Sequence, residues 1–336
     1  MRMPRLPKQG FRGCVGVKNF KILAKEFEEA QMAGYRLATY QSDKGPRAGL
    51  IIGEGLADAA EATGKPVYAT VLGILEDWAQ AEPALRKVAS STGAKTEPLK
   101  AVTLRAPVLW PSAIYCAGAN YSDHAAEMAK RANRPPEPDP KTLGLKPWHF
   151  IKASRTIADP GATVTCAAYS EKLDWEIELA AVIGRTARNV PVDKALDYVA
   201  GYTIANDLSA RDRSRRPHIA ENSAFKSDWI GQKSFDDACP LGPWIVPAAD
   251  IGNPHDLAMT LSVNDVVKQD SNTGKMIYDT AEQIAHLSSG ITLHPGDIIL
   301  TGTPSGVGSA RGEFLKAGDV VKLWIDRIGT LTNTIG

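Results

Sequence analysis

The sequence predicts an α+β chain, with a small α+β N-terminal domain over residues 1–105 and a larger, β-rich domain over residues 106–336. Three observations carry this. After Leu104–Pro111 the chain breaks into many short apolar runs, separated by Gly, Pro, Asn and Asp. Helical signals there are few, which favours a curled or sandwich-like core over alternating βαβ units. Before that boundary, strand-like and helix-like patterns are mixed. The length of 336 residues suits two domains, or one large domain with an appendage.

The elements follow in order. Phe20 to Met32 is expected as a short helix in an otherwise unplaced stretch, residues 1–45. From Arg47, AGLIIGEGLADAAEATG reads as strand, glycine turn and strand, a hairpin. Val71 to Val88 places Leu72, Leu75, Trp78, Ala79, Leu85 and Val88 at helical spacing. Then come the runs AIYCAG, ATVTCAA, EIELAAVIG, GYTIAND, GPWIV, MTLSV, DIILTG and VVKLWID, with helices expected at Asp193–Tyr198 and Ala281–Ser288. Residues 131–147 hold five prolines and several charges, which cannot form a helix or a core. They are a solvated connector or a lid.

Composition narrows the function. The net charge of +1 gives no footprint for nucleic acid and none for an anionic membrane. No apolar run approaches the ~20 residues of a membrane span. The basic N-terminus lacks an apolar h-region, which speaks against a secretory signal. Cys14, Cys116, Cys166 and Cys239 are scattered with no C-x-x-C pair, against a zinc framework or a disulfide scaffold. The expectation is a cytoplasmic protein.

Five segments can carry chemistry. In Asn120–Glu127, His124 and Glu127 are three apart and share a face of one helical turn. A carboxylate beside an imidazole raises its basicity and suits a general base; the alternative is a surface His–Glu pair. In DWEIEL, Glu176 and Glu178 project to one side of a strand and Trp175, Ile177 and Leu179 to the other. Two convergent carboxylates suit a hard divalent cation, or else a plain wet strand face. Asp207, at the end of GYTIAND, is a third carboxylate or a turn cap. Arg211 and Asp212 beside it read equally as a local ion pair. Lys233 lies between Trp229–Ile230 and Phe235, a setting that can desolvate it beside a substrate carboxylate or enolate. PGDIILTGTPSGVG delivers a Gly/Thr/Ser loop whose backbone N–H groups can bind anions. It is neither a Walker A nor a nucleophile elbow.

Taken in order, NYSDHAAE, DWEIEL, NDLSARD, GQKSFD with CPLGP, and PGDIILTGTPSGVG resemble the fumarylacetoacetate hydrolase family over about Val108–Ile335. HFIKASRTIADPG resembles the family's F-x-K segment, with Ala153 where proline is usual. The resemblance implies a mixed β-roll catalytic domain, a homodimer and a divalent cation, Mg²⁺ or alternatively Mn²⁺ or Ca²⁺. It implies Glu176, Glu178 and Asp207 as metal ligands, His124 and Glu127 as a water-activating dyad, and Lys233 as the active-site lysine. Thr303, with Gly302 and Arg211, falls to the substrate, a small 2-oxo acid. Loops 131–147 and 213–228 are expected to line its pocket. The implied reaction is C–C hydrolysis of an acylpyruvate-type β-diketo acid. The alternatives are isomerisation or decarboxylation of related diacids in aromatic catabolism, oxaloacetate-type decarboxylation, or a non-catalytic binding β-roll.

Overall fold

In the computed structural model, which describes residues 34–165 and 168–336, the central element is the strand Ile177–Ile183, buried at every position. An alternating strand reading IELAAVI has apolar side chains on both faces, so both faces must be covered. Ile177, Leu179, Ala181 and Ile183 pack into one core with Met259, Leu261, Leu323 and Leu331. Ala180 and Val182 pack into another with Tyr68, Ile74, Leu75 and Leu85. The first core lies against a second sheet, the other against the helices of residues 71–89.

The strand belongs to a twelve-stranded sheet. On one side it pairs with Ile298–Leu300, then come Ile114–Ala117 and the edge strand His149–Lys152. On the other it pairs antiparallel with Val199–Asn206, which pairs with Cys239–Pro247. The sheet then continues through Arg36–Ser42 (Leu37 opposite Ile245), Gly45–Ile52 and Gly55–Asp58. The hairpin expected after Arg47 is therefore present, and its strands extend the sheet of the larger region. The strand Arg36–Ser42 was not legible in the sequence, because its apolar positions are interrupted by Arg36, Thr39 and Gln41.

The second sheet has five strands, built around Ala258–Val263 and Val320–Ile325. Val320–Ile325 alternates exposed and buried positions, as a strand with one wet face must. The helical pattern at 71–88 forms two helices, Val71–Glu76 and Trp78–Ala89. Asp77 breaks them with φ −110° and ψ 25°, and its carboxylate accepts a hydrogen bond from the Tyr68 hydroxyl at 2.6 Å. The expected helices near 193–198 and 281–288 appear as the 3₁₀ segment Val192–Tyr198 and the helix Thr280–Gly290. The ATVTCAA run contributes only the short strand Thr163–Val164 among the described residues. The helix expected at 20–32 and the cysteines at 14 and 166 lie outside the described residues. Among those described, no helix is long and apolar enough to cross a membrane.

Candidate metal centre and active site

Glu176 and Glu178 stand where the central strand begins, on the face that continues as Ala180 and Val182. Asp207 follows the partner strand, and its backbone N–H bonds the Glu176 carbonyl at 2.9 Å. Strand register thus delivers the third carboxylate to the first two. All three are buried, and one oxygen from each lies within 4.8 Å of the others.

Cations surround two of the three. The Lys233 ammonium donates to Glu176 Oε2 at 2.7 Å and to Asp207 Oδ2 at 2.5 Å. Lys152, fully buried on the edge strand, donates to Asp207 Oδ1 at 2.6 Å. Arg211 donates to Asp174 Oδ2 at 2.8 Å and also to Glu176 Oε1. Glu178 has no cationic partner within salt-bridge distance among the described residues; it accepts the Gly302 N–H at 2.6 Å. The cluster therefore sets four carboxylates (Asp174, Glu176, Glu178, Asp207) against three cations and leaves one formal negative charge, on Glu178.

The titration behaviour follows. Burial pushes the Glu178 carboxyl well above the usual carboxylate range, and Asp207 and Glu176 push it the same way. Burial acts on Glu176 too, but Lys233 and Arg211 outweigh it and hold its carboxyl down to about 2. Burial opposes the charge on Lys233, and Asp207 and Glu176 overcome it, keeping the ammonium protonated. An all-oxygen, anionic donor set with one uncompensated charge fits a hard divalent cation.

The helix Ser122–Arg131 carries His124 and Glu127, as their spacing predicts. His124 is nearly buried, and its Nδ1 lies 3.3 Å from Glu127 Oε2. The Gly-rich loop after Leu300 joins this helix to the carboxylate cluster. The expectation that its N–H groups are open to an outside anion is corrected for four of them, which the protein's own carboxylates take. Gly302 N–H goes to Glu178, Ser305 N–H to Asp123 (3.2 Å), Gly306 N–H to Glu127 (2.9 Å) and Gly308 N–H to Asp174 (2.6 Å). Glycine is required at 306, where φ is +101° and a Cβ would fall 2.2 Å from the Lys268 carbonyl oxygen.

Of the residues expected at the substrate, Thr303 accepts a hydrogen bond from buried Gln269 at 2.9 Å, and Gly302 spends its N–H on Glu178. Arg211 turns to Asp174 and Glu176, so the local pair with Asp212 does not form; Asp212 instead accepts from Ser170 and the Glu171 N–H. Sequence reading passed over three residues: Lys152, Asp174 and Gln269. The F-x-K segment and the first letter of DWEIEL were the available signals for Lys152 and Asp174; nothing local marks Gln269. The 131–147 segment is held at two points, by Lys141 on Glu282 (2.7 Å) and by the Tyr278 hydroxyl on the Leu145 carbonyl (2.7 Å).

Fold and site together define a class, a mixed β-roll enzyme with a buried acidic centre on its main sheet. The chain belongs to the fumarylacetoacetate hydrolase family: residues 113–336 match the family described as fumarylacetoacetate (FAA) hydrolase, C-terminal. It is 39% identical over 240 residues to a human protein named oxaloacetate tautomerase FAHD2B, mitochondrial, covering 71% of each chain. Among solved structures, a fumarylacetoacetate hydrolase of Exiguobacterium antarcticum superposes with TM-score 0.71 at 30% identity, covering 90% of this chain and 99% of that one. A maleylpyruvate hydrolase of Sphingobium sp. SYK-6, solved with manganese(II) and pyruvate, superposes with TM-score 0.68 at 30% identity, covering 89% and 98%.

Proposed function

We propose that this protein is a divalent-cation-dependent enzyme that forms the enol or enolate of a 2-oxo acid, and that its reaction is keto–enol tautomerisation of a 2-oxo diacid of the oxaloacetate type. The observation that carries the reading is the buried trio Glu176, Glu178 and Asp207 with Lys233 fixed against two of them. Relatives at 38–40% identity that bear the tautomerase name support the choice of reaction.

Glu176, Glu178 and Asp207 would hold the cation, Mg²⁺ or Mn²⁺, with Ca²⁺ as a third choice. When bound, such an ion supplies a Lewis acid for the carboxylate and oxo oxygens of a 2-oxo acid. Lys233 adds a permanent positive charge beside the developing enolate, in a site where low polarity strengthens it. Lys152 holds the Asp207 carboxylate in place through its hydrogen bond to Oδ1. With its Nδ1–H donated to Glu127, His124 keeps Nε2 as the acceptor that takes a proton from the substrate carbon and returns one to oxygen.

A second reading uses the same groups for hydrolysis. There His124 Nε2 takes the proton of a water, and the resulting hydroxide attacks the distal carbonyl of an acylpyruvate. The His124–Glu127 geometry favours this reading specifically, because a polarised imidazole suits water activation.

One pair of assays separates them. The enol of oxaloacetate, diluted into buffer with Mg²⁺, is followed by its ultraviolet absorbance; an acylpyruvate is followed by pyruvate release. Faster loss of the enol without pyruvate release supports tautomerisation, and pyruvate release supports hydrolysis. Neither effect, with the cation present, overturns both.

A further inference from the structure

We propose that an arginine-lined cavity beside the metal centre receives the second carboxylate of a 2-oxo diacid, with Arg213 and Arg215 as the residues that select diacids over monoacids. The inference rests on the proposed function and deepens it. The cavity measures about 420 Å³, and Tyr169, Asp212, Arg213, Arg215, Arg216 and His218 contribute to its lining.

Its placement is the first argument. Asp212 directly follows Arg211, whose guanidinium holds Glu176. The lining also includes Gly231, two residues before Lys233 on the helix Trp229–Lys233. Tyr169, also in the lining, is tied to that segment: its hydroxyl donates to the Gly231 carbonyl at 2.8 Å, and its ring stacks on Phe235 with centroids 5.1 Å apart. The cavity is therefore built from the segments that carry two of the cations of the metal centre.

Charge is the second argument. The acidic groups of the cavity are already engaged. Asp212 accepts from Ser170 and the Glu171 N–H. Asp228 accepts the Gly231 N–H at 2.7 Å and the Arg216 guanidinium at 2.8 Å. Arg213 has no carboxylate partner among the described residues; it donates only to the Tyr169 carbonyl, at 2.8 and 3.1 Å, and lies over the Tyr169 ring. Arg215 is paired with Glu221, and both ends of that pair are exposed, 61% and 72%. Such a pair exchanges readily for a better carboxylate. A planar guanidinium stacked on an aromatic ring is pre-organised for two-point binding of carboxylate. Arg211 cannot take this role, because Asp174 and Glu176 occupy it.

The test follows exchange of C3 hydrogens for deuterium, by NMR with Mg²⁺, in a graded series of 2-oxo diacids and the 2-oxo monoacids of equal length. Arg215→Ala and Arg213→Ala should raise the diacid-to-monoacid ratio of KM about tenfold, the loss of one charged contact. Glu221→Gln, which removes the competitor for Arg215, should lower that ratio about twofold. If the ratio stays fixed in all three variants while the wild type exchanges both classes, the cavity is not the diacid site. If the wild type exchanges neither class, the proposed function itself fails, and this inference with it.

Discussion

The Gly-rich loop serves two ends of the site: at one, its outer glycines, Gly302 and Gly308, give their N–H groups to Glu178 and Asp174; at the other, Ser305 and Gly306 between them give theirs to Asp123 and Glu127. The loop treats the two ends alike, yet their surroundings differ. The metal end is buried, and three of its four carboxylates, Asp174, Glu176 and Asp207, are matched against Lys152, Lys233 and Arg211. The dyad end is half-buried: a Ser271 hydroxyl, an exposed Lys275 and a histidine complete the bonds of Asp123 and Glu127. The comparison teaches that the metal end is governed by electrostatics in a poorly polar interior, while the dyad end is governed by position. Mutations should therefore cost stability at the first end and rate at the second.

The largest effect is expected from Lys233→Met. It strands Glu176 and Asp207 without their shared partner, and breaking a buried pair costs about 3–5 kcal/mol. Denaturant unfolding should show that loss together with loss of activity; stability within about 1 kcal/mol of wild type would break the electrostatic account.

His124→Ala should leave stability and metal binding near wild type, and lower the rate about 10²–10⁴-fold as general-base loss does. If His124→Ala abolishes acylpyruvate cleavage but spares enol decay, hydrolysis is the dyad's reaction and tautomerisation is left to the metal end. Wild-type rates on both substrates would remove His124 from either mechanism. Glu127→Gln should lose less, about tenfold, because the imidazole remains.

Gly306→Ala tests the shared loop. A side chain at this positive φ should cost about 1–3 kcal/mol and loosen both ends at once. A drop in thermal midpoint with unchanged rate would show that the loop does not position the dyad.

The smallest effect sharpens the electrostatics. Without metal, the raised Glu178 pKa means that ionising this group opposes folding, so its contribution weakens as pH rises from the unfolded value toward the folded one. Glu178→Gln keeps the acceptor for Gly302 and removes the charge. It should raise the metal-free midpoint near neutral pH by about 2 °C while abolishing metal-induced stabilisation. For the wild type, metal affinity should fall as pH falls, because protons compete at Glu178; calorimetry in two buffers would register the proton released on binding. A pH-independent affinity would contradict this.

How much was legible differs between the two ends as well. Local periodicity made the dyad readable: a spacing of three on one helical turn puts His124 beside Glu127 wherever that helix packs. Alternation likewise placed Glu176 and Glu178 on one side of their strand, and the unbroken apolar run after them announced a strand buried on both faces. Order and wording of the motifs carried the family. Tertiary structure decided the rest. Lys233 meets Glu176 across 57 residues, and Lys152 meets Asp207 across 55. Those meetings depend on the pairing of the central strands and on an edge strand three positions away in the sheet, which no local pattern records. Tertiary structure also gave four N–H groups of the Gly-rich loop to the protein's own carboxylates and turned Arg211 inward, while Arg213 has no carboxylate partner among the described residues. The physical reason is range: backbone periodicity acts within a few residues, whereas buried charges are satisfied by whichever partners the packed sheet brings within hydrogen-bonding distance.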